Sequence, residues 1–195
     1  MPNWTYNYTT ISGDSADIQK LIDDTASDND RNKLELTKVY PIPDAFDGLH
    51  EGYRTINGER CDLWREKDDV ATPVPEMEKI ELLEKYGTYK IIDWQYNNWG
   101  TKWGDCQTQV LDNDGDKLLI KFESAWGEPF LLLNEIANKY NVKVINQWQI
   151  ELDEGDGVTE YPIPNGDEVK KQHIKELQDM RNSIDKMFLE RNVNE

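Results

Sequence analysis

The chain has 195 residues and a formal net charge of −17, with 22 Lys and Arg against 39 Asp and Glu. Its length allows a buried core, and seven tryptophans and nine tyrosines supply large apolar surfaces, so the acidic composition does not indicate a disordered tail. The negative charge argues against binding nucleic-acid phosphates or an anionic membrane, and it favours a partner with a basic surface.

The first predicted elements are a strand, a helix and a second strand. Residues 3–12 fit a strand, because aromatic residues alternate onto one face at Trp4, Tyr6 and Tyr8. Residues 15–27 carry apolar positions at helical spacing, which predicts an amphipathic helix. Alternation over residues 33–40 predicts the second strand.

Residues 41–75 carry Gly, Pro and mixed charge, and we expect residues 41–103 to form an insertion. Within this segment, Asn57-Gly58 favours a tight hairpin turn. A helical pattern leads up to Gly87, which suits the position after a helix end. The stretch from Tyr89 to Gly100 fits either a helix or a strand, and we favour a helix that ends at Gly100.

The second half contains clearer patterns. Residues 105–111 and 117–126 are predicted strands joined by a turn at Asp112–Asp116. Residues 127–140 are a predicted helix with Pro129 in its first turn, and residues 142–152 are a predicted strand. This order predicts an α+β fold with a ferredoxin-like antiparallel sheet and helices packed on one face.

The predicted organisation is a single domain over residues 1–160, with the insertion at about 41–103, followed by a C-terminal helical extension over residues 161–195. That extension contains a long helix from Asp167 to Arg191. We favour packing of its apolar stripe on the domain, and homodimerisation through this helix is the alternative. The stripe consists of His173, Leu177, Met180, Ile184 and Met187.

Residues 97–105, which read NNWGTKWGD, hold the first candidate site. The leading glycine of a phosphate-binding loop is missing, so that interpretation fails. Tryptophans around a lysine could instead stack on a base or nucleotide. The competing interpretation is that Gly100 ends a helix and the neighbouring rings are buried. The candidate ligand-binding residues are Trp99, Lys102, Trp103 and Trp126.

Residues 150–168 hold many carboxylates and no Lys or Arg, and they form the second candidate site. This stretch could contact a basic partner or recruit a divalent cation, but a solvated loop is the simpler interpretation. The candidate acidic partner surface consists of Glu151, Asp153, Glu154, Asp156 and Glu160.

Catalytic and metal signatures are weak. The cysteines, Cys61 and Cys106, are not at metal-ligand spacing, and two histidines are too few for a usual zinc site. No nucleophile elbow is present. We therefore predict no catalytic residue, no metal site and no cofactor. The N-terminal residues lack the pattern of a signal peptide, so we expect a cytoplasmic protein with no membrane span.

Four motifs stand out: MPNW at the start, LLEKYG at 82–87, DWQYNNWGTKWGD at 93–105 and ESAWGEP at 123–129. They resemble motifs of a family of uncharacterised phage and plasmid proteins with a ferredoxin-like domain. The chain departs from the family at Thr5, where a cysteine is usual, and at Gly104, which interrupts the usual Trp-Asp.

The resemblance implies a ferredoxin-like fold without an iron–sulfur cluster and a phage-borne accessory gene, and it implies no catalytic residue. We accordingly expect a non-enzymatic acidic binding module that occludes a host or defence protein in the infected bacterium. One alternative is a small-ligand or nucleotide-binding protein with a Trp-lined pocket. A further alternative is a metal-dependent enzyme built on the carboxylates.

Overall fold

A computed structural model describes residues 3–28, 30, 33–153 and 155–192. These residues form two antiparallel sheets, one of five strands and one of three, which together with the helices confirm the predicted α+β class. The strands are β1 (Trp4–Ser12), β2 (Leu49–Ile56), β3 (Glu59–Lys67), β4 (Val70–Pro73), β5 (Cys106–Asn113), β6 (Lys117–Ala125), β7 (Lys143–Ile150) and β8 (Gly155–Tyr161). The helices are α1 (Ser15–Thr25), α2 (Glu76–Tyr86), α3 (Ile91–Trp99), α4 (Phe130–Lys139) and α5 (Gly166–Asn192).

The main sheet has the strand order β5–β6–β1–β7–β8, and every neighbouring pair is antiparallel. Strands β1, β5, β6 and β7, with helices α1 and α4, follow the β-α-β-β-α-β order of the predicted ferredoxin-like arrangement. Both helices contribute to one hydrophobic core with the sheet. Buried residues of that core include Ile11, Ile18, Leu21, Leu118, Ile120, Leu132, Leu133, Ile136 and Val144.

The predicted second strand at residues 33–40 is wrong. Residues Leu36–Val39 form a 3-10 helix, and the second strand of the ferredoxin-like unit is β5 instead. Leu34 and Leu36 are buried in step with the predicted alternation, but Val39 is buried as well, and its spacing of three residues from Leu36 suits a 3-10 turn.

The segment between α1 and β5 holds the smaller sheet, in the order β2–β3–β4, together with α2 and α3. The β2–β3 hairpin turns at Asn57 and Gly58, with φ angles of 52° and 86°, which confirms the predicted tight turn. Helices α2 and α3 end at Gly87 and Gly100, both in the left-handed region, as predicted.

Helix α5 lies in the predicted C-terminal extension. Its first turns pack against the rest of the protein. The His173 ring meets Phe130 edge-on at 4.9 Å, and its Nε2 lies 3.1 Å from the Tyr96 carbonyl oxygen. Burial lowers the pKa of His173. Met180 is 59% exposed, and the side chains of Ile184 and Met187 lie outside the described part of the chain. No described helix is both long and apolar enough to cross a membrane.

The acidic stretch after β7 is not the solvated loop that its composition suggests. Residues 155–161 form β8, which pairs with β7 over its whole length. Asp156, Val158 and Glu160 are exposed, whereas Tyr161 is buried. The loop interpretation failed because the glycines at alternate positions hide the period of two that marks a strand.

A partly buried carboxyl group lies at the junction between the insertion and the sheet. The Asp105 Oδ2 accepts a hydrogen bond from the Thr37 backbone N–H at 3.2 Å, which ties the start of β5 to the 3-10 helix. Burial raises the pKa of Asp105 to about 6, although hydrogen bonds from Thr37 and Leu36 oppose the shift. The NNWGTKWGD motif is therefore a structural junction at its C-terminal end.

The raised pKa of Asp105 predicts a pH-dependent stability. The folded state favours the protonated carboxyl, so this stabilisation is fully present below the unfolded pKa of 3.8 and is lost as the pH rises through about 6. Between about pH 4 and about pH 7.5, wild type should lose up to about 3 kcal/mol of unfolding free energy relative to Asp105→Asn. Urea denaturation across this range measures the difference.

The matched control is Asp116→Asn, because Asp116 is exposed in the neighbouring hairpin turn. This control should follow the wild-type pH curve. Parallel curves for wild type and Asp105→Asn would contradict a burial-shifted carboxyl at the junction.

Candidate functional site

Successive side chains of the central strand β1 point to opposite faces of the main sheet, and the two faces differ in exposure. Thr5, Asn7 and Thr9 point towards the helix-covered face and are no more than 1% exposed. Tyr6 and Tyr8 point the other way and are 39% and 52% exposed. We call the side of the sheet that carries Tyr6 and Tyr8 the open face.

Four aromatic side chains are associated with the open face, and we call them the aromatic row: Trp103, Trp4, Tyr6 and Tyr8. The Trp4 and Trp103 rings stack with centroids 5.7 Å apart and planes inclined by 30°. The Lys102 Nζ lies 4.8 Å from the centroid of the Trp103 ring, a cation–π contact. The alternation along β1 is as predicted, and Trp103 adds a residue from a distant loop.

A groove lies on either side of Tyr6 and Tyr8. The first has a volume of about 240 Å³, and beyond the tyrosines its lining includes Gln107, Gln109, Lys121 and Glu123. The second has a volume of about 520 Å³, and its lining includes Gln147, Gln149, Asp156 and Val158. Both grooves therefore combine aromatic rings with side-chain amides that can donate and accept hydrogen bonds.

A buried polar layer lies directly beneath the tyrosines. The Asn146 Nδ2 donates to Asn7 Oδ1 and to Glu128 Oε2, both at 3.0 Å, and the Asn146 Oδ1 accepts from Thr9 Oγ1 at 2.7 Å. The Asn7 Nδ2 donates to Ser124 Oγ at 2.9 Å. The polar layer consists of Asn7, Thr9, Ser124, Glu128, Asn146 and Thr159.

The polar layer holds the open face in place because it joins adjacent strands. Asn7 lies on β1, Ser124 on β6 and Asn146 on β7, and the Thr159 Oγ1 of β8 donates to Glu128 Oε1 at 2.7 Å. Satisfied buried networks of this kind specify one register and resist deformation. Burial, reinforced by the nearby Glu128 carboxylate, raises the pKa of Tyr161 and keeps its hydroxyl neutral.

The predicted Trp-lined site does not assemble as one pocket. Trp99 is 5% exposed, its Nε1 donates to the Tyr40 carbonyl oxygen at 2.8 Å, and its ring meets Trp94 edge-on. Trp99 is therefore a core residue. Lys102 and Trp103 lie together beside Trp4. The Trp126 side chain is 51% exposed, and the Trp126 backbone N–H donates to the Asn3 carbonyl oxygen at 2.9 Å.

Only some residues of the candidate acidic partner surface lie on the same face of the protein. Asp156 and Glu160 are exposed on β8, at positions that pair with Gln149 and Ile145 of β7, so they lie on the open face. The Glu151 Oε2 accepts from the Trp4 backbone N–H at 3.2 Å. The Asp153 side chain and the whole of Glu154 fall outside the described residues.

Some residues of the open face were missed by sequence reasoning. The tyrosines were identified as one strand face but not as a site, and the four glutamines were not considered. A usable signal was present, since YNY, QTQ and QWQ each place two side chains of one kind on the same face of a strand. Among the described residues, no group of three or more His, Cys, Asp and Glu is arranged to hold a metal ion.

The polar layer predicts a large effect from one substitution. Asn146→Ala removes the hydrogen-bond partner of Asn7 Oδ1, Thr9 Oγ1 and Glu128 Oε2, so we expect a loss of about 3 kcal/mol of unfolding free energy. Urea denaturation measures the change. Asn138→Ala, at an exposed position of α4, is the matched control and should change stability by less than about 0.5 kcal/mol. Equal effects of the two substitutions would contradict the proposed role of the layer.

Comparison with known proteins does not assign a family. No family model matches the chain, and no curated protein matches it. The chain is similar to the crystal structure of protein api92 from Yersinia pseudotuberculosis, described by the family model DUF1281. The two are 12% identical with a TM-score of 0.46, and the match covers 83% of this chain and 94% of the other. At these values the likeness supports no conclusion about function.

Proposed function

We propose that the protein is a non-enzymatic binding module that docks a protein partner with a basic rim on its open face. The observation that carries the proposal is the exposure of Tyr6 and Tyr8 at the centre of a sheet, above a rigid buried polar layer. In keeping with the resemblance to phage and plasmid proteins, the proposed role is that of an accessory protein. It would act in the cytoplasm of the infected bacterium by occluding a host or defence protein.

The chemistry of the open face suits a protein partner. Tyrosine and tryptophan supply most of the binding energy in many protein interfaces, because they bury large areas at a low entropic cost. Tyr6 and Tyr8 are large, and they form a ridge between two grooves. The glutamines along the grooves offer hydrogen bonds without the desolvation cost of a charged group.

The charge around the aromatic row favours a basic partner over a nucleic acid. Glu123 and Asp156 line the two grooves, and Glu160 lies further along the same face. Proteins that bind single-stranded nucleic acid stack bases on aromatic rings, but they also track the backbone with a positively charged groove. Here Lys121 shares its groove with Glu123, and the chain as a whole carries a net charge of −17. Lysines and arginines at the partner's rim would meet complementary charge.

A small aromatic ligand such as a nucleotide is the second candidate function. The observation that favours it is the stacked Trp4–Trp103 pair with Lys102 against the outer ring, which could hold a base near a cation. Titration of intrinsic tryptophan fluorescence with a panel of nucleotides separates the two candidates. Saturable quenching that Trp103→Ala removes would favour the nucleotide, whereas no quenching by any member supports the protein partner.

Site-specific photocrosslinking tests the proposed function. The photoreactive amino acid p-benzoylphenylalanine replaces Tyr8 or, as the matched control, Tyr53, which is 74% exposed on β2 of the smaller sheet. After irradiation in bacterial cells, we expect one discrete protein adduct from position 8 and none of the same mass from position 53. Tyr6→Ala with the label at position 8 should reduce the adduct roughly tenfold, since anchoring aromatics contribute most of the affinity.

Two results would contradict the proposed function. The first is an identical set of adducts from both labelled positions, which would indicate non-specific encounter. The second is a position-8 adduct whose yield does not change in the Tyr6→Ala protein or with rising salt, since the proposed contact combines aromatic anchors with charge pairing.

A further inference from the structure

We propose that the free edge of β8 is a strand-docking site, to which the partner adds an extended segment carrying Lys or Arg on either side of an apolar residue. This inference rests on the proposed function and states how the partner is held. Strand addition to a sheet edge is an established mode of recognition, in which backbone hydrogen bonds give affinity and alternate side chains give specificity.

The two edges of the main sheet differ in how well they are protected. The register between β5 and β6 shifts twice, between Cys106 and Gln109 and between Val110 and Asp112, and Gln107 has a φ of 55°. Such bulges twist an edge away from further pairing. In contrast, β8 pairs with β7 without any shift, from Gly155 to Tyr161. The β8 edge is therefore regular enough to template another strand.

The sequence of β8 also lacks two of the residue types that commonly block an edge. Its residues read GDGVTEY, with no lysine and no proline. Within the described ranges, no strand pairs with its outer side. Val158 is 65% exposed at the middle of the strand. The Trp148 ring of β7 packs so closely on Gly157 that a Cβ at position 157 would lie 2.7 Å from Trp148 Cζ2. This contact supports the backbone of β8.

The charges on β8 specify the chemistry of the incoming strand. Asp156 and Glu160 flank Val158 on the open face, each two residues away. The Glu160 Oε2 lies 2.9 Å from Lys143 Nζ, but the two side chains are 63% and 53% exposed, so this ion pair is weak and exchangeable. A strand with an apolar residue opposite Val158 and cations opposite the carboxylates would be complementary.

A second copy of the chain is a poorer occupant of this edge. Antiparallel pairing of two β8 strands about Val158 would place Asp156 of one copy opposite Glu160 of the other, at both ends. Like charges directly opposite across strands are destabilising. A basic strand from the partner avoids this repulsion and gains from the same carboxylates.

The β8 edge lies close enough to the aromatic row for one partner to contact both. Only β7 separates β8 from β1, so the two sites are about 10 Å apart across the sheet. The larger groove, between the tyrosines and Val158, lies in this interval. An added strand would extend the open face and bring the rest of the partner over the tyrosines.

Amide hydrogen exchange of the full chain, followed by NMR, tests the proposal. The probe is the capped peptide Thr-Lys-Thr-Val-Thr-Lys-Thr at millimolar concentration, and the control peptide carries Glu in place of both Lys. We expect the lysine peptide to slow exchange roughly tenfold at the outward-facing amides of β8 and to leave β5 unchanged. The glutamate peptide should have no effect. Asp156→Lys combined with Glu160→Lys should abolish the protection.

Several outcomes would overturn strand addition. These are no protection of β8 by the lysine peptide, equal protection by the glutamate peptide, or equal protection of β5. Dimerisation of the free chain that Val158→Lys disrupts would show that the occupant is a second copy. The crosslink from the label at position 8 gives a further test. If it keeps its full yield after the Asp156→Lys and Glu160→Lys changes, strand docking at the β8 edge is rejected, while the proposed docking of a partner on the open face is not. If the protein labelled at position 8, without any other change, forms no specific adduct, the proposed function itself is rejected.

Discussion

The structure depends on the alternation of side chains along β1, because this central strand serves the buried polar layer and the open face at once. Asn7 and Thr9 point inward and are satisfied by Asn146, which also holds Glu128. Tyr6 and Tyr8 alternate with them along the strand and point outward. A slip of one residue would bury the tyrosines and expose the asparagine network, so the hydrogen bonds that fix the register also fix which rings reach solvent. The rigidity of the layer and the exposure of the tyrosines therefore have one physical origin.

Much of the fold could be predicted because its signals are local. The left-handed glycines Gly87 and Gly100 mark helix ends, and Asn57-Gly58 marks a hairpin turn. These signals do not depend on contacts with distant parts of the chain. The 3-10 helix at Leu36–Val39 could not be predicted, since its burial comes from contacts with distant elements. Strand β8 was hidden by glycine and carboxylates, which give no apolar stripe, and it becomes a strand through its pairing with β7.

The candidate site was harder to predict for a related reason. Trp99 and Trp103 are four residues apart and look equivalent in the sequence, yet one lies in the core and the other stacks on Trp4 near the open face. Their different environments result from the path of the chain after Gly100, which the sequence does not reveal. Similarly, the alternation of Tyr6 and Tyr8 was visible, but not which side of β1 the helices cover. The same uncertainty hid the glutamine pairs, because polar residues on a strand indicate exposure without indicating a shared surface.

We infer that the open face is exposed in the free protein and is covered when a partner binds. Site-resolved tyrosine nitration of the full chain, alone and in bacterial lysate, tests this most directly. In the free protein, nitration should modify Tyr6, Tyr8 and Tyr53 but not the buried Tyr140 and Tyr161. In lysate, Tyr6 and Tyr8 should be protected and Tyr53 should remain reactive. Unreactive Tyr6 and Tyr8 in the free protein, or no difference between the two conditions, would contradict it.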